Sequence, residues 1–199
     1  MARIRSFLAI ELPKEIISGL SEIQNGLKSS LSQVKWVRPE SIHLTLKFFG
    51  NIEEKIVGEI SQVLEKVTAK TSSFVIDVKD IGVFPDISRP RVIWVGAESI
   101  GNVLNILQKE TEDSLKKIGF KPEERKFSAH LTIGRVKSLK EKRQLIEQIV
   151  KLKGYEVGSF RVENLFLFKS DLRPTGAIYT KLETFSLGAL TNYKPICSN

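Results

Sequence analysis

His43-Leu44-Thr45-Leu46 and His130-Leu131-Thr132-Ile133 are nearly identical tetrapeptides, and they contain both histidines of this 199-residue chain. Each tetrapeptide lies in a run that is typical of a β-strand, and the elements around the first run recur in a similar order around the second. The pattern therefore predicts an α+β protein with a duplicated plan.

Each tetrapeptide separates polar from apolar side chains, because successive residues of a strand point to opposite faces of the sheet. His43 and Thr45 share one face, while the leucines beside them face a core. His130 and Thr132 repeat this arrangement. Two such strands facing each other would surround a small anion with two imidazoles and two hydroxyls.

These four groups suit the chemistry of a phosphodiester. An imidazole titrates at about pH 6.5 when unperturbed, so one ring can act as a base while the other acts as an acid. Threonine hydroxyls can donate hydrogen bonds to phosphate oxygens and orient the phosphorus between the rings. A single histidine beside leucine is more often structural, but packing gives no reason to repeat the polar pair.

The composition favours a polyanionic partner and excludes several kinds of site. The chain has 31 basic and 23 acidic residues, a net charge of +8 and a pI near 9.5, which favours nucleic acid. The only cysteine is Cys197, so no internal disulfide and no cysteine-based zinc site can form. Two histidines without a carboxylate at ligand spacing are too few for a metal centre, so we expect neither a metal nor a cofactor.

Apolar periodicity predicts the remaining organisation. No apolar run could span a membrane and the N-terminus lacks a signal-peptide pattern, which predicts a cytoplasmic protein. No linker marks a domain boundary, so residues 1–199 are expected to form a single two-lobed domain. We expect strands over 3–11, 34–37, 43–49, 74–83, 91–95, 129–136, 158–169 and 176–185, and helices over 13–31, 53–70, 101–118 and 138–152.

Four segments together resemble the RNA 2',3'-cyclic phosphodiesterases, also called 2'-5' RNA ligases, of the two-histidine phosphoesterase superfamily. They are FLAIELP (7–13), WVRPESIHLTLKFFG (36–50), RPRVIW (89–94) and FSAHLTIGR (127–135). The resemblance covers essentially the whole chain, and the paired H-x-T-x motifs are specific when they occur together. It implies two lobes related by a pseudo-twofold axis, each an antiparallel sheet flanked by helices, with the motifs in a central cleft.

The resemblance also implies a role for each site residue. His43 would be the general acid that protonates the leaving 3'-oxygen, and His130 the general base that activates water, which leaves a 2'-phosphate. Thr45 and Thr132 would bind the phosphate, and Arg135 would add positive charge to it. The implied substrate is an RNA with a 2',3'-cyclic phosphate end, with tRNA halves among the candidates, and we expect a monomeric enzyme.

Arg135 poses a geometric problem for this assignment. Strict alternation from His130 would aim the side chain of residue 135 away from the cleft. A bulge at Gly134 would turn it back, and a long arginine can also curl around a strand edge.

Three alternative functions stay open. The same residues could perform ATP-independent 2'-5' RNA ligation, in which an RNA hydroxyl replaces water. A non-catalytic RNA-end binding module is a second possibility, although recognition alone could use arginine or lysine in place of histidine. A metal-dependent phosphodiesterase is a third, and it lacks ligands here. Several further side chains could contact RNA, namely Arg38, Lys47, Arg89, Arg91 and Lys169 at its backbone and Trp36, Phe48 and Phe84 at its bases.

Overall fold

The computed structural model describes residues 2–28, 33–138, 142–174 and 176–188, so Cys197 lies outside the described residues. The strands are β1 (Arg3–Ile10), β2 (Val34–Trp36), β3 (Leu44–Glu53), β4 (Phe74–Phe84), β5 (Val92–Ser99), β6 (His130–Val136), β7 (Glu156–Val162), β8 (Asn164–Arg173) and β9 (Gly176–Ser186). The helices are α1 (Lys14–Lys28), α2 (Val57–Thr68), α3 (Val103–Lys116) and α4 (Lys142–Lys151). Mixed helices and antiparallel strands confirm the predicted α+β class.

The strands of the described residues form one sheet, in the order β7-β4-β5-β6-β3-β1-β8-β9, and β2 pairs with β6. The motif strands β3 and β6 lie at the centre of this order. They join two halves of four strands each, through the antiparallel pair of Leu44 with Leu131. The two halves are the two predicted lobes.

Each half of the sheet contains strands from both repeats of the chain. In the first half, β3 and β1 are followed by β8 and β9. In the second half, β6 and β5 are followed by β4 and β7. The first repeat thus contributes β4 to the second half, and the second repeat contributes β8 and β9 to the first half. The lobes are therefore interlocked rather than arranged one after the other along the chain.

The main core lies between the sheet and the helices. Leu44, Leu46, Leu131 and Ile133 of the motifs are all buried in it, as strand alternation predicts. The apolar positions of α1 at helical spacing are buried against the same face, namely Ile16, Leu20, Ile23 and Leu27. Full burial of one such aliphatic side chain contributes about 1.5–3 kcal/mol. This packing turns the polar motif side chains to the other face of the sheet.

The strands differ from the sequence prediction by more than one residue in three places, one of which is β5, which continues to Ser99 rather than ending at 95. Strand β3 continues past Gly50 to Glu53, because Gly50 adopts a φ of +70° that accommodates a register shift against β1. The single strand predicted over 158–169 is instead β7 and β8, separated at Glu163. One residue thus links strands near opposite ends of the sheet order, so the sheet must curve strongly there.

None of the described helices is both long and apolar enough to cross a membrane. The cytoplasmic location expected from the sequence stays a prediction.

Candidate active site

The two motifs lie side by side at the centre of the sheet rather than on strands that face each other. Leu44 lies opposite Leu131, and continuing this antiparallel register by one residue places each histidine across from the threonine of the other motif. This register puts His43 and His130 on one face of the sheet, the face opposite the helices, which we call the cleft face.

Both imidazoles are oriented by the same local contact. The Nδ1 atom of His43 lies 2.9 Å from the carbonyl oxygen of Ser41, and that of His130 lies 2.7 Å from the carbonyl oxygen of Ser128. A carbonyl only accepts hydrogen bonds, so each Nδ1 carries the proton. The neutral ring then leaves its Nε2 lone pair free to accept a proton, and the cationic ring has an Nε2–H to donate.

Aromatic side chains surround the His43 ring. Phe7 stacks on it with a centroid distance of 4.7 Å, and Tyr179 packs edge-on at 5.1 Å. Burial lowers the pKa of His43 below its ordinary value, while the hydrogen bond to Ser41 acts in the opposite direction. These surroundings therefore favour the neutral form of His43 at neutral pH.

The second histidine has its own aromatic neighbours. Phe84 packs edge-on to His130 at 5.1 Å and stacks on Trp94 at 5.2 Å. The Trp94 ring lies over Gly82, where a Cβ atom would overlap it. Gly82 thus provides the space that lets Trp94 lie flat beneath the site. Phe84, one of the three candidate base-stacking residues, contacts His130 of the second motif, whereas Trp36 is partly buried against the main core.

A β-bulge in β6 turns Arg135 toward the cleft. Thr132 pairs with Trp94, but Gly134 pairs with Ile93, so Ile133 is an extra residue in the strand. Arg135 then pairs with Val92, two residues from Trp94 and on the same face. The bulge expected at the glycine is present, and the exposed Arg135 side chain starts from the face that carries both histidines.

The first motif strand contains the same bulge at the corresponding place. Thr45 pairs with Ala9 and Lys47 pairs with Leu8, which leaves Leu46 as the extra residue of β3. Phe48 consequently occupies the position that Arg135 has in β6. It packs beside Phe7 at a centroid distance of 6.0 Å and stays 55% exposed.

The bulge sends Lys47 to the helix side of the sheet. Its Nζ atom lies 2.8 Å from Glu112 Oε2 of α3 and 2.8 Å from the carbonyl oxygen of Lys121, and the residue is only 3% exposed. The suggestion that Lys47 contacts RNA is therefore wrong, because its charge is already neutralised inside the core.

No group of three or more His, Cys, Asp or Glu side chains that could hold a metal ion occurs within the parts of the chain that the structure describes. The groups that converge on the cleft are imidazoles, hydroxyls and a guanidinium. This set suits an anion such as phosphate.

Comparison with known proteins places the duplicated plan in a family. The family model described as LigT like Phosphoesterase matches the chain twice, over residues 10–94 and 95–179. This chain belongs to the LigT-like phosphoesterase family.

Named relatives and solved structures agree with this assignment. The chain is 40% identical to the RNA 2',3'-cyclic phosphodiesterase of Methanothermobacter thermautotrophicus, over 93% of this chain and 100% of that protein. It is 37% identical to the protein of the same name from Methanocaldococcus jannaschii, over 88% and 96%. The crystal structure of TT0787 from Thermus thermophilus superposes with a TM-score of 0.80 at 26% identity, covering 94% and 100%. Apo Escherichia coli LigT shares the fold, with a TM-score of 0.75 at 21% identity over 94% and 99%.

Sequence reasoning missed three residues of this phosphoesterase site, namely Arg5, Phe7 and Tyr179. Strand alternation in β1 could have placed Arg5 and Phe7 on one face, but nothing indicated that this face adjoins the motif. Burial raises the pKa of Tyr179, while the positive charges of Arg135 and Arg5 act in the opposite direction. The phenol thus stays protonated at neutral pH, and both guanidinium groups lie within electrostatic range of it.

Two open hollows adjoin the motifs. Phe48 borders the first, whose charged lining residues include Lys121, Glu123, Glu124 and Arg125. Ser128, which orients His130, borders the second, together with Glu98 and Lys126. Charged side chains of both signs therefore line each hollow.

Proposed function

We propose that this phosphoesterase hydrolyses a 2',3'-cyclic phosphate at the end of an RNA to a 2'-phosphate, by general acid–base catalysis that needs no metal. The observation that carries the proposal is the pair of imidazoles, each held through Nδ1, on one face of the sheet where the two half-sheets join. The names of the relatives that are 40% and 37% identical support the same substrate.

In the proposed reaction, His130 Nε2 accepts a proton from water as the water oxygen bonds to phosphorus. The bond between phosphorus and O3' breaks, and His43 Nε2–H donates its proton to O3'. The phosphate stays attached to O2'. A second proton exchange with solvent restores the starting protonation states of both rings.

The donor role of His43 requires a proton that its buried surroundings disfavour. The cyclic phosphodiester carries a negative charge, which favours the imidazolium when it lies beside the ring. We propose that substrate binding raises the pKa of His43 and so loads the acid only when the leaving oxygen is present.

The other groups of the cleft suit the charge of the phosphate. Thr45 and Thr132 can donate hydroxyl hydrogen bonds to the non-bridging oxygens, and Arg135 and Tyr179 can donate from the other side. Phe48 offers an exposed ring on which the terminal base can stack.

Product analysis tests this function. A short RNA with a 2',3'-cyclic phosphate end is incubated with the wild type, His43→Ala, His130→Ala and the control Arg143→Ala, in the presence of a chelator. Arg143 is a suitable control because it is exposed on α4 and pairs with Glu147. We expect a 2'-phosphate from the wild type and the control, and almost no product from the histidine variants.

Other outcomes would contradict specific parts of the proposal. Full activity in either histidine variant would overturn the acid–base pair. A 3'-phosphate product would reverse the roles of His43 and His130. Loss of wild-type activity in the chelator would overturn metal independence, and joining of a 5'-hydroxyl RNA in place of hydrolysis would indicate ligation.

A further inference from the structure

A buried glutamine contacts the β6 bulge from the side of the sheet away from the cleft. Gln24 of α1 is 1% exposed, and its Nε2 atom donates to the carbonyl oxygens of Val37 and Ile133, each at 2.8 Å. Both partners can only accept, so the amide must present its NH2 group to both of them. The contact joins residues 109 positions apart in the chain.

Ile133 is the extra residue that makes the bulge. In addition to the bond from Gln24, its carbonyl oxygen accepts a hydrogen bond from the backbone N–H of Val37, at 3.0 Å. Two donors thus converge on the carbonyl oxygen of the extra residue of the bulge. Losing one of them would leave a buried polar group with weaker support.

The direction of the Arg135 side chain depends on this bulge. Without the extra residue, strand alternation would put Arg135 on the helix face, where burying an unpaired guanidinium is costly. With it, Arg135 pairs with Val92 and lies on the cleft face. The geometry of Ile133 therefore decides whether the cleft has this positive charge.

We infer that Gln24 is a positioning residue for phosphate binding, which it supports from the core by fixing the bulge that aims Arg135 into the cleft. This inference rests on the phosphate-binding role proposed for Arg135. Gln24 touches neither substrate nor reacting atoms, so its effect must pass through Arg135.

The first motif strand contains a counterpart that supports the inference. Gln108 of α3 is also buried, and its Nε2 atom lies 3.4 Å from the carbonyl oxygen of Leu46, the extra residue of β3. The same atom lies 3.3 Å from Glu112 Oε1. Each repeat thus sends one glutamine to the bulge of the other repeat. The β3 bulge presents Phe48 rather than a charge, so Gln108 should not affect the binding of a bare anion.

A double-mutant cycle tests the inference, with inorganic phosphate as the probe. Binding is followed by NMR of the two histidine rings in the wild type, Gln24→Met, Arg135→Ala and the double variant. Methionine matches glutamine in size and has no donor. We expect Gln24→Met and Arg135→Ala each to weaken phosphate binding about tenfold, the scale of one charge-assisted hydrogen bond. In the Arg135→Ala background, Gln24→Met should change the affinity less than twofold.

Matched variants separate positioning from general destabilisation. Gln108→Met should leave phosphate affinity within twofold of the wild type. Gln24→Asn keeps the amide but shortens its reach, so it should fold readily and show a smaller effect with the same dependence on Arg135. Thermal melts establish that every variant is folded at the temperature of the titration.

Three outcomes would overturn the inference. Gln24→Met could weaken phosphate binding by the same factor with and without Arg135, or both Gln24 variants could bind phosphate as tightly as the wild type. Gln108→Met could also weaken phosphate binding as much as Gln24→Met does. Failure of the proposed reaction gives a different result. A wild type that binds phosphate with the expected coupling but hydrolyses no cyclic phosphate would contradict the reaction and leave the positioning role in place.

Discussion

The two motif strands share a backbone plan but differ in the side chains that their bulges display. The extra residue is Leu46 in β3 and Ile133 in β6. The next residue on the cleft face is the aromatic Phe48 in the first strand and the cationic Arg135 in the second. The duplicated backbone thus supplies a matched pair of imidazoles, while Phe48 makes one side of the site aromatic and Arg135 makes the other side cationic.

The surroundings of the two histidines also differ between the two halves. His43 lies between Phe7 and Tyr179, and burial lowers its pKa, whereas His130 has Phe84 at its edge. A symmetric backbone therefore carries two rings in unequal environments. Unequal environments are what separate acid and base roles in a pair of identical groups.

The largest effect is expected from removing either imidazole. His43→Ala and His130→Ala should each lower kcat by about 10²–10⁴-fold, the usual contribution of one general acid or base. The double variant should be no more than a few-fold slower than the slower single variant, because the two rings act as a unit. Single-turnover rates on a cyclic-phosphate RNA measure this. A double variant whose rate falls by the product of the two single effects would mean that the two histidines act independently.

The next largest effect is expected at the buried ion pair of Lys47, the residue that follows Leu46 in the β3 bulge. Lys47→Met should lower the free energy of unfolding by about 3 kcal/mol, because it leaves the buried Glu112 carboxylate without its cation. Lys169→Met is the matched control, since its ion pair with Asp171 is partly exposed at 3.6 Å and should contribute no more than about 1 kcal/mol. Urea denaturation compares the two. An unchanged free energy of unfolding in Lys47→Met would contradict the stabilising role of the buried ion pair in the first half.

A smaller effect separates the two residues displayed by the bulges. Arg135→Ala should weaken the binding of inorganic phosphate and of a nucleoside 2'-phosphate by a similar factor, about tenfold. Phe48→Ala should weaken only the nucleotide, by the about 1–3 kcal/mol of one stacked base. Calorimetric titration of both ligands measures the difference. An equal loss of affinity for inorganic phosphate in Arg135→Ala and Phe48→Ala would contradict the different roles of the two residues.

The smallest effect is the titration of His43. Because burial lowers its pKa, this ring should titrate below the ordinary value of about 6.5 in the ligand-free protein. Bound phosphate should shift the titration to higher pH, since an anion favours the charged ring. NMR of the two ring signals follows both titrations, and His43→Ala assigns them. A downward shift on phosphate binding would contradict the loading of the acid by substrate.

The sequence predicted those parts of the site that depend on local pattern. Strand alternation placed the polar face of both motifs, helical spacing placed the buried face of α1, and Gly134 indicated the β6 bulge. The β3 bulge was missed because Lys47 stands where β6 has its glycine, and nothing marked the strand as irregular.

Features that depend on distant pairing could not be predicted. Tyr179 reaches His43 only because β9 pairs with β8 and β8 with β1. The exchange of β4 and β8 between the halves and the strand break at Glu163 likewise depend on which strands pair across the molecule. No local periodicity encodes such a choice.

Contact of both imidazoles with one phosphate can be followed by ¹⁵N NMR of the wild type during titration with a nucleoside 2'-phosphate. We expect both Nε2 signals to shift together with a single dissociation constant, and both shifts to weaken in parallel in Arg135→Ala. A shift of one ring alone, or two different dissociation constants, would contradict this shared contact.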